Sequence, residues 1–303
     1  MTTSHDHVVT AADGTRIAWT AHGQGAPGGA AFVLTNGLST TENFWRPLVG
    51  GLADHRALAT WRYRGHGDSE SAKSGDYRVA THADDLARVT EAARRAFPEA
   101  VWPPVHVGFS MGVRVVLELR KRRPDLVGGL VLVAGGAGAP YASSPVFRSG
   151  WAGKVARTFV DTTAKVLPKG RAVLRPVLGS TIAVRASKIV GAIGRAVPDE
   201  DVQHFFGAVG DMDLVAYGET LRDLMTCRAG DVLGDVDVPT LIVVPEHDVM
   251  ALQGDLRELR EGIPSAKSFP IPGTGHAILL EAGEAIVRRV RTFVEGLERS
   301  RAT

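Results

Sequence analysis

The sequence predicts an α/β fold, a mostly parallel, doubly wound sheet with a helical cap inserted at the C-terminal edge of that sheet. Three observations carry the expectation. Short apolar runs alternate with helix-period segments up to residue 137 and again from residue 233, the rhythm of strands covered on both faces. Between them, 138–232 shows helical spacing without a convincing strand, which puts the insertion where such sheets hold ligands. Residues 104–114, PVHVGFSMGVR, read as strand, sharp turn and helix, with Gly108-Phe109-Ser110-Met111-Gly112 at the turn. The predicted units are a core of 1–137 and 233–303 and a cap of 138–232.

Taken in order, 7–10 and 16–21 flank the turn signal Ala12-Asp13-Gly14 and predict an antiparallel hairpin. Residues 31–34 form an apolar strand ending in Thr35-Asn36-Gly37-Leu38-Ser39. A helix is expected over 42–52 and a strand over 57–63, followed by the loop Arg64-Gly65-His66-Gly67-Asp68-Ser69. Thr81 and Asp84 have capping-box spacing, and Ala83, Leu86, Val89, Ala93 and Phe97 then repeat on one helical face. The helix after the sharp turn stops at Pro124-Asp125, and 126–134 is another buried strand. Strands over 239–244 and 266–271 enclose a helix over 252–261. Ile286, Val290, Phe293, Val294 and Leu297 mark the inner face of the last helix.

Composition narrows the class. The 303 residues are 44% apolar, an ordinary globular value, and the formal net charge of +2 is too small to argue for nucleic acid. One cysteine, Cys227, excludes an internal disulfide framework and fits a reducing compartment. The first residues lack a signal-peptide pattern, and no apolar run approaches the roughly 18 residues of a membrane span. A soluble, cytoplasmic protein is expected. No His/Asp/Glu cluster has metal-ligand spacing, so neither metal nor cofactor is expected.

The turn at Ser110 carries the chemistry. A nucleophile on so tight a turn needs small neighbours, which Gly108 and Gly112 supply, and the Met111 N–H then opens a helix, where it can face an oxyanion. An activated serine needs a base, and the base an orienting acid, in the order Ser, acid, His. His276, in Pro272-Gly273-Thr274-Gly275-His276 after the last strand, is the candidate base. Asp248, in Pro245-Glu246-His247-Asp248, is the candidate acid, with Glu246 the weaker alternative. The stretch 134–144 holds no Asp or Glu that could serve instead. The second oxyanion donor is expected from the Leu38 N–H. His106 reads as a core histidine, His66 as ordering its glycine-rich loop, and His247 as an exposed neighbour of the acid.

On Gly37-Leu38, Arg64–Ser69, Gly108–Gly112, Asp248 and Gly275-His276, in that order, the chain resembles the α/β-hydrolase superfamily over roughly 7–137 and 233–298. The resemblance implies a Ser110-Asp248-His276 triad. Asn36 stands where many relatives carry His, and Arg62 where many carry Asp. Asn36-Gly37-Leu38 with Trp45 beyond it is similar to the enol-lactonase-like branch.

The cap has its own signature. Residues 148–195 hold ten Lys or Arg against one acid, Asp161, with apolar residues interleaved. One face can line a hydrophobic pocket while a basic face is solvated or meets an acidic carrier protein or an anionic membrane surface. The leading expectation is a serine hydrolase of a small hydrophobic ester or lactone. A thioesterase acting on a carrier-bound acyl group and a non-catalytic ligand-binding module are the alternatives. Carbon–carbon bond hydrolysis and perhydrolysis use similar residues.

Overall fold

Alternating apolar strands and amphipathic helices assemble, in the computed structural model, into one sheet with helices on both faces. The structure describes residues 4–139, 150, 154, 157–158, 161–162, 180–189, 193–194, 197–248 and 253–302. Strands β1 (Ser4–Thr10) and β2 (Arg16–His22) form the expected hairpin, and β2 pairs antiparallel with β4 (Leu58–Trp61). The others, β3 (Ala30–Thr35), β5 (Val101–Phe109), β6 (Gly129–Val133), β7 (Thr240–Pro245) and β8 (Lys267–Ile271), run parallel in the order β1-β2-β4-β3-β5-β6-β7-β8. Strands β3, β6 and β7 are buried at every position, which is why they read as unbroken apolar runs.

Helices α2 (Val79–Ala96), α3 (Met111–Arg122) and, late in the chain, Gln253–Gly262 cover one face. Leu86, Val89, Val113, Leu117, Leu256 and Leu259 pack there. The other face is closed by α1 (Arg46–Leu52) and the C-terminal helix Gly283–Ala302, through Leu48, Leu52, Ile286, Val290 and Val294. Helices α4 (Thr181–Ile189), α5 (Asp199–Asp211) and α6 (Leu214–Thr226) lie between β6 and β7 in sequence. The two late helices are accordingly α7 (Gln253–Gly262) and α9 (Gly283–Ala302), with the short α8 (Ile278–Glu281) between them.

Local expectations shift in three places. The stretch 42–52 is a 3₁₀ turn (Glu42–Trp45) followed by α1, with Pro47 in the first helical turn. The strand expected over 126–134 is confined to β6, because Pro124–Leu126 is a 3₁₀ turn and Ala134 takes a positive φ of 48°. The capping box at Thr81 and Asp84 does not form: α2 begins at Val79 behind Arg78, without a side-chain cap. The Val79 N–H instead donates to Asp223 Oδ2 of α6, at 2.8 Å. A distant carboxylate thus meets an orphan donor and the positive end of the helix.

Helix α6 is tied to the core at further points. The Asp213 N–H donates to Gly65 O at 3.0 Å, and Thr220 Oγ1 to Tyr77 O at 3.2 Å. Asp213 itself caps α6, accepting from the Val215 N–H at 2.8 Å. At the start of α5, Asp201 pairs with Arg46 at 2.9 Å. Helix α5 therefore rests on the start of α1, and α6 on the loop that leaves β4.

Candidate active site

Three loops at the C-terminal ends of β5, β7 and β8 meet at Ser110. The serine sits at φ 53°, ψ −116°, a left-handed conformation that costs a side-chain-bearing residue about 1–3 kcal/mol. A strand and a helix hold it there: the Ser110 N–H donates to Val133 O of β6 at 2.9 Å, and Ser110 O accepts from the Val113 N–H of α3 at 3.1 Å. The flanking glycines are required by close approach. A Cβ on Gly108 would lie 2.6 Å from Gly112 O, and one on Gly112 would lie 2.3 Å from Thr35 O.

His276 Nε2 lies 2.9 Å from Ser110 Oγ, and its Nδ1 lies 2.8 Å from Asp248 Oδ2. The carboxylate only accepts, so Nδ1 carries a proton and Nε2 is left to accept from the serine hydroxyl. The Asp248 side chain is wholly buried and that of His276 nearly so. Backbone bonds join the two loops: the His247 N–H donates to Thr274 O at 2.9 Å, and the Gly273 N–H to Glu246 Oε2 at 2.9 Å. Glu246, the alternative acid, thus braces the histidine loop. The Gly275 N–H, next to His276, donates to Glu281 Oε2 at 2.8 Å.

The loop after β3 closes the other side. A Cβ on Gly37 would stand 3.1 Å from Ser110 Cβ, so the two backbones nearly touch. Asn36 anchors this loop: its Nδ2 donates to Trp61 O at 2.8 Å, its Oδ1 accepts from Trp45 Nε1 at 2.5 Å, and its carbonyl accepts from the Tyr63 hydroxyl at 2.6 Å. All four residues are buried. The sequence showed Asn36 as a departure from a common pattern, but not its partners, which come from two other segments. Beyond it, the N–H groups of Leu38 and Met111 have no acceptor among the described residues. Both flank Ser110 in sequence or space, and that pairing can receive a developing oxyanion.

The remaining histidines serve elsewhere. His106 is fully buried with Nε2 at 3.1 Å from Leu126 O, and burial pushes its pKa down to about 4. His66 Nδ1 lies 3.1 Å from Arg64 O, and His247 is exposed. Arg64 explains the loop better than His66 does. Its guanidinium grips both oxygens of buried Asp85 at 2.8 and 2.7 Å, and reaches Asp13 at 3.1 Å. Arg62 pairs with Glu42 at 2.7 Å. Cys227 is half-buried, and burial raises its thiol pKa, which opposes reactivity.

Among the described residues, no group of three His, Cys, Asp or Glu could hold a metal ion, and no helix is long and apolar enough to cross a membrane. Most of the basic stretch 148–195 lies outside the described residues. Within the part described, Lys188 pairs with Asp199.

A serine, an imidazole and a buried carboxylate on this sheet define a hydrolase of the α/β-hydrolase class. Residues 27–283 match the family described as serine aminopeptidase, S33, and the chain belongs to that family. It is 23% identical over 279 residues to RutD of Agrobacterium fabrum, which carries the name of a carbamate hydrolase, covering 90% of this chain and 96% of that one. The fold is shared with an esterase from Exiguobacterium antarcticum at TM-score 0.74 and 18% identity, covering 95% of this chain and 98% of the other. It is shared also with the enol-lactonase from Burkholderia xenovorans LB400 at TM-score 0.71 and 19% identity, covering 95% and 100%.

Proposed function

We propose that the protein hydrolyses a small carboxylic ester or lactone with a hydrophobic moiety, through an acyl-enzyme on Ser110. The hydrogen-bonded series Ser110, His276, Asp248 carries this reading. His276 Nε2 takes the hydroxyl proton as Ser110 Oγ attacks the carbonyl carbon, and Asp248 stabilises the imidazolium that forms. The carbonyl oxygen becomes an oxyanion facing the Leu38 and Met111 N–H groups, where one such donor is worth roughly 100- to 1,000-fold in kcat. Collapse expels the alcohol, which takes the proton back from His276. Water, deprotonated by the same imidazole, then releases the acid.

The stretch 138–232 acts in this reading as a cap over the site. Contacts of α5 with the start of α1, and of α6 with the loop after β4 and the start of α2, support it. Labelling by a fluorophosphonate, followed by rates on matched esters, lactones and thioesters, tests the proposal. A labelled protein with burst release of alcohol from an ester supports it, and one that never labels refutes it. A carbamate is the second reading, favoured by the likeness to RutD, and belongs in the same panel.

A further inference from the structure

The loop that carries His276 is tied down from both directions. Upstream, the Gly273 N–H donates to Glu246 at 2.9 Å, Thr274 O accepts from the His247 N–H at 2.9 Å, and the Thr274 hydroxyl donates to Ile271 O at 2.7 Å. Downstream, the chain turns directly into α8, whose last residue, Glu281, accepts from the Gly275 N–H at 2.8 Å. A ring is thereby closed around His276, from the residue before it to the end of the helix after it.

Stability does not account for this carboxylate. Glu281 Oε1 is buried with no hydrogen-bond partner among the described residues, which costs free energy in a folded protein. What lies over it is backbone from between α4 and α5. A Cβ on Gly194 would stand 2.3 Å from the Glu281 carboxyl carbon and from Oε2, and 2.7 Å from Oε1. A side chain at position 194 would thus take the place of the carboxylate. Gly194 is itself held: the Ile193 N–H donates to Ser187 O at 3.3 Å, and the Val197 N–H to Gly194 O at 3.2 Å. Ile193 and Val197 are buried in one apolar cluster with Ala277 and Ile278, the two residues after His276. The backbone at Gly194 backs the carboxylate, and the carboxylate holds the residue before the imidazole.

We propose that Glu281 is a positioning residue for His276, and that Gly194 is the wall that keeps its carboxylate on the Gly275 N–H. The seat of the segment between α4 and α5 then sets the place of the base. The proposal rests on the ester-hydrolase reading and adds to it a dependence of turnover on a contact outside the triad. That contact acts on the base and not on substrate binding, so kcat is the quantity it moves.

Hydrolysis of p-nitrophenyl butyrate, expressed per site labelled at the end point by a fluorophosphonate, reads this apart from any loss of folded protein. Glu281→Met keeps the length and removes the acceptor. Gly194→Ala displaces the carboxylate at its flexible end while leaving it in the chain. Each is expected to lower kcat by roughly tenfold to 100-fold, the cost of a misplacement of up to about 1 Å, with KM within about twofold of native. Glu281→Gln keeps an acceptor for Gly275 and is expected to regain most of that loss. Because both changes break one contact, Gly194→Ala combined with Glu281→Met is expected to lose no more than Glu281→Met alone. If Glu281→Met fails to label, Gly194→Ala alone decides. Native kcat in a labelled Gly194→Ala or Glu281→Met protein overturns the proposal. So do losses that multiply in the double variant, a change confined to KM, or a Gln variant as slow as the Met variant. Absence of labelling in the native protein overturns the hydrolase reading instead.

Discussion

At the scale of single residues, the site makes unequal demands on its carboxylates. Asp248 is buried against His276, whereas Glu246 accepts the backbone N–H of Gly273, three residues before the imidazole. Asp248→Asn is expected to lower kcat by about 10⁴, because the amide favours the wrong histidine tautomer. Glu246→Gln retains an acceptor for Gly273 and is expected to lose less than tenfold. Steady-state rates on one ester compare them, and equal losses would reassign the acid. Ser110→Ala is expected to abolish covalent labelling while leaving the thermal midpoint unchanged or raised, since Ala is as small and the elbow strain is backbone-borne. Mass spectrometry and calorimetry read the two effects. These residues were legible because each sits in a short motif whose order along the chain is fixed by the fold. Asn36 was not, since its role depends on Trp45, Trp61 and Tyr63 arriving from elsewhere.

Elements show the same division. Apolar runs and helical spacing marked the strands and the faces of α2 and α9, because burial imposes those periods locally. The start of α2 was misread, since the acceptor for its first N–H belongs to α6, 144 residues along the chain. Asp223→Ala is expected to cost about 1 kcal/mol, read as a lower urea midpoint at unchanged slope. A larger effect falls on the loop after β4. Arg64 is 2% exposed, and removing it strands the Asp85 carboxylate in the interior. Arg64→Met is expected to cost roughly 3–5 kcal/mol, much of it recovered in Arg64→Met with Asp85→Leu. Failure of the double variant to recover stability would show that the guanidinium acts mainly through Asp13 and the Asp76 carbonyl, which it reaches at 3.1 Å.

Across the whole molecule, buried histidines tie stability to pH. His66 and His82 are held below the usual 6.5, and His106 is held at about 4, all chiefly by burial. The unfolded chain binds protons near pH 6.5 that the fold refuses, so stability is full above that value and falls as the pH drops toward 4. Each group contributes a slope of up to about 1.4 kcal/mol per pH unit in that window. His106→Gln keeps a donor for Leu126 O and removes one titration, so its midpoint should fall less steeply with acid in a thermal series. An unchanged slope would place His106 outside the linkage. The sheet order carries one more consequence, for a chain still being made. Ser110 emerges on β5, but its imidazole follows 166 residues later, beyond β8. In the proposed reading, a ribosome-tethered or clipped chain ending before β8 holds the Ser110 hydroxyl without its imidazole, chemically no more than an alcohol. Reactivity toward a fluorophosphonate is therefore expected to report synthesis past β8, switched on only when that strand docks at the edge of the sheet.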